Sequence, residues 1–336
     1  MEIVEKIIEG DRRAAAKLIT LAENNFSQAK GFLKELYPYT GKALIIGITG
    51  PSGVGKSTIT DKLTKSLRKE GKTVGIIAID PTSPFTGGAL LGDRIRMQDL
   101  STDPGVFIRS MGSRGYLGGL SPATHSTIKI LEALGKEIIF IETVGVGQAE
   151  IDIVKVADTV ILVTMPGMGD EVQIIKAGIM EIGDIFVVNK ADKEGSERLI
   201  TEIEMMLALK QDTKWRPPVL KTIATSNFGI SELEREINHH LKYLKESGEL
   251  GKRRRERTKK EILDLIQEKW KERWANYLTD GFLDKIVTKV VERREDPYTV
   301  VDKLSEKLDH FYSTGGGESA EKDRSYRDCG GESGKG

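Results

Sequence analysis

Between Ala43 and about residue 245, two patterns of apolar positions alternate along the chain. Short unbroken runs rich in Ile, Val and Leu begin at ALIIGITG (43–50) and continue with TVGIIAID (73–80), GVFIRS (105–110), EIIFIETV (137–144), TVILVTMP (159–166), DIFVVNKAD (184–192) and VLKTIAT (219–225). Segments with helical spacing separate them. Unbroken apolar runs bounded by turn residues predict strands buried on both faces, and helices between them predict a mostly parallel sheet. Before Ala43, the spacing of Ile3, Ile7 and Ile8, and then of Leu18, Ile19 and Ala22, predicts two short helices, broken at Glu9-Gly10-Asp11 and stopped at Pro38. After residue 245 the strand pattern ends. Residues 251–278 set Ile262, Leu265, Ile266, Trp270 and Trp274 on one helical stripe, and two further helical patterns follow at 282–294 and 298–312. A stripe of this kind fits a core or a subunit interface. Residues 313–336, dominated by Gly, Ser and charge, predict disorder.

Composition narrows the class. Lys plus Arg equals Asp plus Glu, 51 each, so no overall field draws the chain to nucleic acid or to an anionic membrane. The basic run at 252–260 lacks interleaved aromatics and reads as a solvated helix start, not a nucleic-acid contact. No apolar run reaches 18 residues and the amino terminus lacks an uncharged apolar core, so a cytoplasmic chain without a membrane span is expected. Cys329 is the single cysteine, which excludes an internal disulfide and a thiolate metal cluster made by one chain.

The chemistry concentrates at the ends of the strand runs, where open α/β sheets bind ligands. Gly50-Pro51-Ser52-Gly53-Val54-Gly55-Lys56-Ser57, followed by Thr58, is a Walker A pattern in its required setting, with a strand before it and a helix after it. Backbone N–H groups of such a loop turn inward on phosphate oxygens, Lys56 reaches the β and γ phosphates, and Ser57 offers its hydroxyl to magnesium. The ligand is therefore a nucleoside triphosphate. Asn189-Lys190-Ala191-Asp192 ends a later strand. The Asp192 carboxylate matches the ring N–H and exocyclic amine of guanine, which adenine does not present there, while Asn189 is expected to tie the base loop together and meet the base edge, and the Lys190 stem to cover the base face. IATSNFG (223–229) is the candidate second base loop, through Ala224. Glu142 ends a strand and leads into Gly-Val-Gly, where Gly145 N–H can meet the γ-phosphate; Asp80 ends the neighbouring run and Asp93 follows in the next loop. With Ser57, these three carboxylates suit a hard, oxygen-ligated ion such as magnesium. A carboxylate not on metal is a candidate for orienting the attacking water. Val146 follows Gly145 where Ras-like proteins carry a water-positioning glutamine, so unassisted turnover is expected to be slow, about 10⁻⁴ to 10⁻² per second.

The motifs EGDRRAAAKLITLAEN, GITGPSGVGKST, AIDPTSPFTGGALLGDRIRM, SRGYLGGLS, IETVGVGQAE, PGMGDEVQIIKAGIMEIGDIFVVNKAD and DPYTVVDKL together resemble the MeaB/ArgK group of GTPases, which includes the methylmalonic aciduria type A protein; the likeness runs from residue 1 to about 312. The resemblance implies a SIMIBI-class P-loop GTPase domain (41–245) between an N-terminal helical extension (1–40) and a C-terminal helical dimerisation arm (246–312). It implies a homodimer and a GTP-dependent chaperone that gates adenosylcobalamin loading and guards a cobalamin-dependent acyl-CoA mutase. It further implies that Asp80, Asp93 and Glu142 are magnesium and switch carboxylates, and that Gly167 to Lys176, with Asp170 and Lys176, forms a third switch facing the mutase. Two rivals compete: a transport-associated ATPase or kinase of the lysine-arginine-ornithine type, which the guanine motif disfavours, and a nickel metallochaperone GTPase, for which four scattered histidines and one cysteine are too few.

Overall fold

The computed structural model describes residues 2–80, 98–112, 122–143, 152–167, 181–209, 214–278 and 280–313. Contacts divide the chain into two compact units that meet in sequence at Lys260 and Glu261.

In the first unit each of the seven apolar runs forms a strand: β1 (Leu44–Thr49), β2 (Val74–Asp80), β3 (Val106–Gly112), β4 (Ile138–Glu142), β5 (Thr159–Thr164), β6 (Ile185–Asn189) and β7 (Val219–Thr222). They make one sheet in the order β3-β2-β4-β1-β5-β6-β7, and every pair is parallel. The chain starts at the centre, builds outward to β3, returns through β4, and then runs β5 to β7 in the other direction. The change of direction places the ends of β1 and β4 side by side, with Ile48 in register with Glu142.

The helices cover both faces. α1 (Glu2–Ile8), α2 (Arg12–Asn24), α3 (Phe26–Leu36) and α6 (Pro122–Ala133) lie on one side with Ile45, Ile77, Ile139, Ile141 and Val160. α4 (Lys56–Lys69) and α8 (Ile230–Glu246) cover the other, against Ile46, Ile48, Phe140, Ile161 and Val187. α5 (Gln98–Ser101) is a single turn before β3, and α7 (Ser196–Ala208) packs Leu199, Ile200 and Ile203 on Leu162, Phe186 and Val188. The alternation of Ile45 and Ile46 between the two clusters is the two-residue period of a strand, here apolar on both faces. The N-terminal segment holds three helices where the spacing predicts two. Asn25 leaves the helical region between α2 and α3, at φ −147° and ψ 83°, and its side chain accepts from Gln28 N at 3.1 Å, starting a new helix without a glycine or proline break.

α9 (Glu249–Tyr277) begins in the first unit and ends in the second, where α10 (Asp280–Val291) and α11 (Pro297–Ser313) follow. Its first turns correct the solvated reading of the basic run. Arg253 makes a two-pronged pair with Asp184, at 2.8 and 2.7 Å, and Arg254 binds Asp158 Oδ2 at 3.1 Å together with the carbonyls of Gly41 and Ala43. Arg257 donates to Val156 O at 2.7 Å. Asp158 and Asp184 are buried just before β5 and β6, and each also accepts a backbone N–H, from Ile45 and Val160 respectively. Lys252, Arg255 and Lys259 stay exposed. On the same helix Ile262, Leu265, Ile266 and Trp270 are exposed and Trp274 is half-buried, so among the described residues most of the apolar stripe is left uncovered. Among the described residues no helix is long and apolar enough to cross a membrane.

Candidate functional site

β1 runs straight into the glycine-rich turn and α4 starts at Lys56, the strand-loop-helix context that the Walker pattern requires. Two glycines there admit nothing larger. Gly50 has φ +134° and a Cβ on it would sit 2.0 Å from Val163 O, inside the neighbouring strand. Gly55, the residue before α4, has φ +98° and a Cβ would meet Asn189 Nδ2 at 2.4 Å. Lys56 is buried, and its ammonium donates to Gly50 O at 2.7 Å and Pro51 O at 2.8 Å, folding back over the loop. Ser52 and Gly53 are exposed, Val54 is buried, and Ser57 and Thr58 are partly exposed on the first turn of the helix.

Asn189 joins the phosphate loop to the base loops. Its Nδ2 donates to Val54 O at 2.7 Å, while its Oδ1 accepts from Thr222 Oγ1 at 3.0 Å and Ala224 N at 3.1 Å. With both Oδ1 lone pairs used and the residue 2% exposed, the Asn189 side chain is engaged between Val54, Thr222 and Ala224, which leaves its Oδ1 no lone pair for a base edge. Ala224 is buried, and its N–H is directed to Asn189. Lys190 has φ +54° and donates to Gly53 O at 2.8 Å, a second bond between the guanine motif and the phosphate loop. Asp192 is exposed. The loop after β7 turns through Asn227 at φ +61° and Gly229 at φ +78°.

Glu142, at the end of β4, is 4% exposed and accepts from Ser57 Oγ at 2.5 Å on α4, with Thr60 Oγ1 at 3.4 Å from the other carboxylate oxygen. A buried carboxylate and a hydroxyl brought to one point fit a hard divalent cation, whose preferred ligands are oxygens. Asp80 is the last residue of β2, in register with Gly112, and β2 lies beside β4. Asp93, Gly145, Asp170 and Lys176 lie outside the described residues. Among those described, no group of three or more His, Cys, Asp and Glu side chains could hold a metal, and His125 sits within α6.

Sequence reasoning missed the threonines that line the strand ends. Thr222 supports Asn189, and Thr49 Oγ1 accepts from Thr143 Oγ1 at 3.0 Å between β1 and β4. Their signal was available, since a polar residue closes each of these apolar runs.

A parallel sheet with a glycine-rich phosphate loop after its central strand, and an Asn-Lys-Ala-Asp motif bonded back to that loop, defines a P-loop nucleotide-binding protein of the GTPase class. Comparison with known proteins agrees. The family described as Methylmalonyl Co-A mutase-associated GTPase MeaB matches residues 15–278. A protein of Pyrococcus horikoshii named as a GTPase is 55% identical, over 91% of this chain and 98% of its own. GTPase ArgK of Escherichia coli is 32% identical over 93% and 97%, and the methylmalonic aciduria type A homolog, mitochondrial, of Caenorhabditis elegans is 34% identical over 80% and 72%. Among solved structures, LAO/AO transport system kinase superposes with a TM-score of 0.67 at 26% identity, covering 92% of this chain and 97% of that one. The chain belongs to the MeaB family of GTPases, and guanine-nucleotide binding comes with that membership.

Proposed function

We propose that this chain is a cytoplasmic, magnesium-dependent GTPase that chaperones a cobalamin-dependent acyl-CoA mutase, gating adenosylcobalamin loading and protecting or reactivating the mutase. The observation that carries this is the family match over residues 15–278, whose description names a mutase-associated GTPase. The tie through Asn189 between phosphate and base loops is what a chain that selects guanine needs.

In this cycle the N–H groups of Gly53, Gly55, Lys56, Ser57 and Thr58 cradle the phosphates, and Lys56 leaves Gly50 O and Pro51 O to pair with β and γ oxygens. Asp192 accepts from the guanine ring N–H and amine. Ser57 and Glu142, together with Asp80 and Asp93, would hold magnesium, which would supply charge neutralisation to the phosphates. Gly145 N–H meets the γ-phosphate. Turnover is slow until the mutase docks, and residues 167–176, through Asp170 and Lys176, carry the nucleotide state to it. The exposed stripe of Ile262, Ile266 and Trp270 belongs to a helical arm (246–312) that pairs two copies as a homodimer, while residues 1–40 extend the GTPase domain of 41–245.

The test titrates acyl-CoA mutases from the same source against the protein, recording GTP turnover and mutase affinity with GDP and with a non-hydrolysable GTP analogue. Binding that favours one nucleotide must, by linkage, shift nucleotide affinity by the same factor. If no mutase binds in a nucleotide-sensitive way or changes the rate, the chaperone role fails. The transport association in the name of the LAO/AO transport system kinase then becomes the better guide.

A further inference from the structure

Thr49 closes β1 and Thr143 follows β4, and their side chains are enclosed, 0 and 1% exposed. Thr143 Oγ1 donates to Thr49 Oγ1 at 3.0 Å, beside the backbone bond from Thr143 N to Ile48 O at 3.1 Å. Side chains alternate across a strand: Ile139 and Ile141 belong to the cluster with the N-terminal helices, and Phe140 to the cluster with α4. Glu142 continues on the α4 side, where Ser57 and Thr60 meet it, and Thr143 falls on the opposite face. The two hydroxyls therefore sit beneath the phosphate loop, away from the surface a nucleotide would touch.

Valine has the shape of threonine, suits a strand, and leaves no hydroxyl to desolvate; replacing both members of a buried hydrogen-bonded pair by apolar groups of the same shape is close to neutral for stability. Stability alone gives little reason for two facing threonines. Their positions give one. Thr49 immediately precedes Gly50, which is pressed against Val163 O, and Thr143 immediately follows Glu142. The hydroxyl bond joins the entry of the phosphate loop to the end of β4 on one face of the sheet, while Ser57, on α4 at the loop's exit, bonds Glu142 on the other.

We propose that Thr143, held by Thr49, is a positioning residue that sets the Glu142 carboxylate against the phosphate loop, a role that rests on Glu142 being the metal carboxylate of the proposed GTPase cycle. Small displacements in such a constellation lower rate far more than they lower ground-state binding.

The full chain is tested as Thr143→Val, Thr143→Ser, the Thr49→Val/Thr143→Val double, Glu142→Gln, and Thr143→Val combined with Glu142→Gln. For each, the readouts are melting temperature, GDP affinity by calorimetry, kcat at saturating GTP and the magnesium concentration giving half-maximal rate. Thr143→Val is expected to lose about ten- to a hundredfold in kcat and to need more magnesium, with GDP affinity within about threefold of the parent. Thr143→Ser restores the rate. The double valine variant, with no hydroxyl stranded, recovers melting temperature but not rate, and it carries the test if Thr143→Val alone fails to fold. In the Glu142→Gln background Thr143→Val adds no further loss. A rate that recovers together with melting temperature, a serine variant as slow as the valine, or additive losses with Glu142→Gln would each overturn the positioning role. A harmless Glu142→Gln overturns the metal assignment and this role with it; a slow Glu142→Gln beside a harmless Thr143→Val overturns this role alone.

Discussion

Arg254→Ala tests how the start of α9 is fixed to the sheet. Arg254 reaches two segments: it donates to Gly41 O at 2.7 Å and Ala43 O at 2.9 Å before β1, and to Asp158 at 3.1 and 3.3 Å before β5. The Asp158 side chain is 1% exposed, so truncating its partner leaves a carboxylate in the interior. Stranding a buried charge costs about 3–5 kcal/mol when nothing else reaches it. Here Ile45 N at 3.0 Å and Arg257 Nη1 at 3.4 Å still reach Asp158, and the Arg254 side chain is 28% exposed, which lets water follow the truncation. The expected loss is therefore about 2–3 kcal/mol, a fall in melting temperature of about 4–8 °C for a unit of this size. Arg254→Lys keeps the charge but cannot fork to two carbonyls and a carboxylate, so it falls between alanine and the parent. Thermal unfolding followed by circular dichroism measures the shift, with a parallel GDP titration. GDP affinity is expected to hold, because Asp158 lies at the start of β5, the opposite end from the phosphate loop. An alanine variant that melts within about 1 °C of the parent would refute the assignment of stability to this contact.

Asp192→Asn is expected to weaken GTP binding by about a hundredfold or more and to turn preference toward xanthine nucleotides, since the amide offers a donor where the carboxylate accepted; calorimetry showing an unchanged ratio of guanine to xanthine affinity contradicts the base assignment. Burial lowers His240 to about 4 from 6.5, reinforced by Arg253 and His239 and opposed by Asp184, whose Oδ1 lies 3.4 Å from Nε2 without hydrogen-bond geometry. The unfolded chain thus takes up the proton first as pH falls, so the contribution of neutral His240 is complete above 6.5 and is lost between 6.5 and 4, up to about 3 kcal/mol. Denaturant unfolding of the parent and of His240→Gln across that window should diverge, and parallel pH profiles would rule the contribution out.

The sheet was legible because inner strands such as β5 and β6 are buried on both faces, which writes an unbroken apolar run into the sequence, while the less buried edge strands β3 and β7 admit Arg109 and Lys221. The phosphate loop and the guanine motif were legible because each is a contiguous run of residue types at fixed spacing, although the close approaches that demand Gly50 and Gly55 come from Val163 O and Asn189 Nδ2, far along the chain. The arginines of α9 were not. Arg253 and Arg254 look like any solvated basic run until Asp184 and Asp158, 69 and 96 residues away, are brought beneath them, and no local pattern encodes that meeting. The third N-terminal helix was hidden by Asn25, a cap whose effect depends on backbone geometry instead of composition.

β6 is held at both of its ends. Asp184, just before it, grips Arg253 and Val160 N, and Asn189, its last residue, grips Val54, Thr222 and Ala224. Between them lie four fully buried residues, Ile185 to Val188, of which Phe186 to Val188 are in register with both neighbouring strands. A strand so anchored has no fraying end, and its amides open to solvent only when the whole cooperative unit opens. The Asn189 end of β6 is therefore expected to hold some of the slowest-exchanging amides among the described residues, a rank that native-state hydrogen exchange would measure.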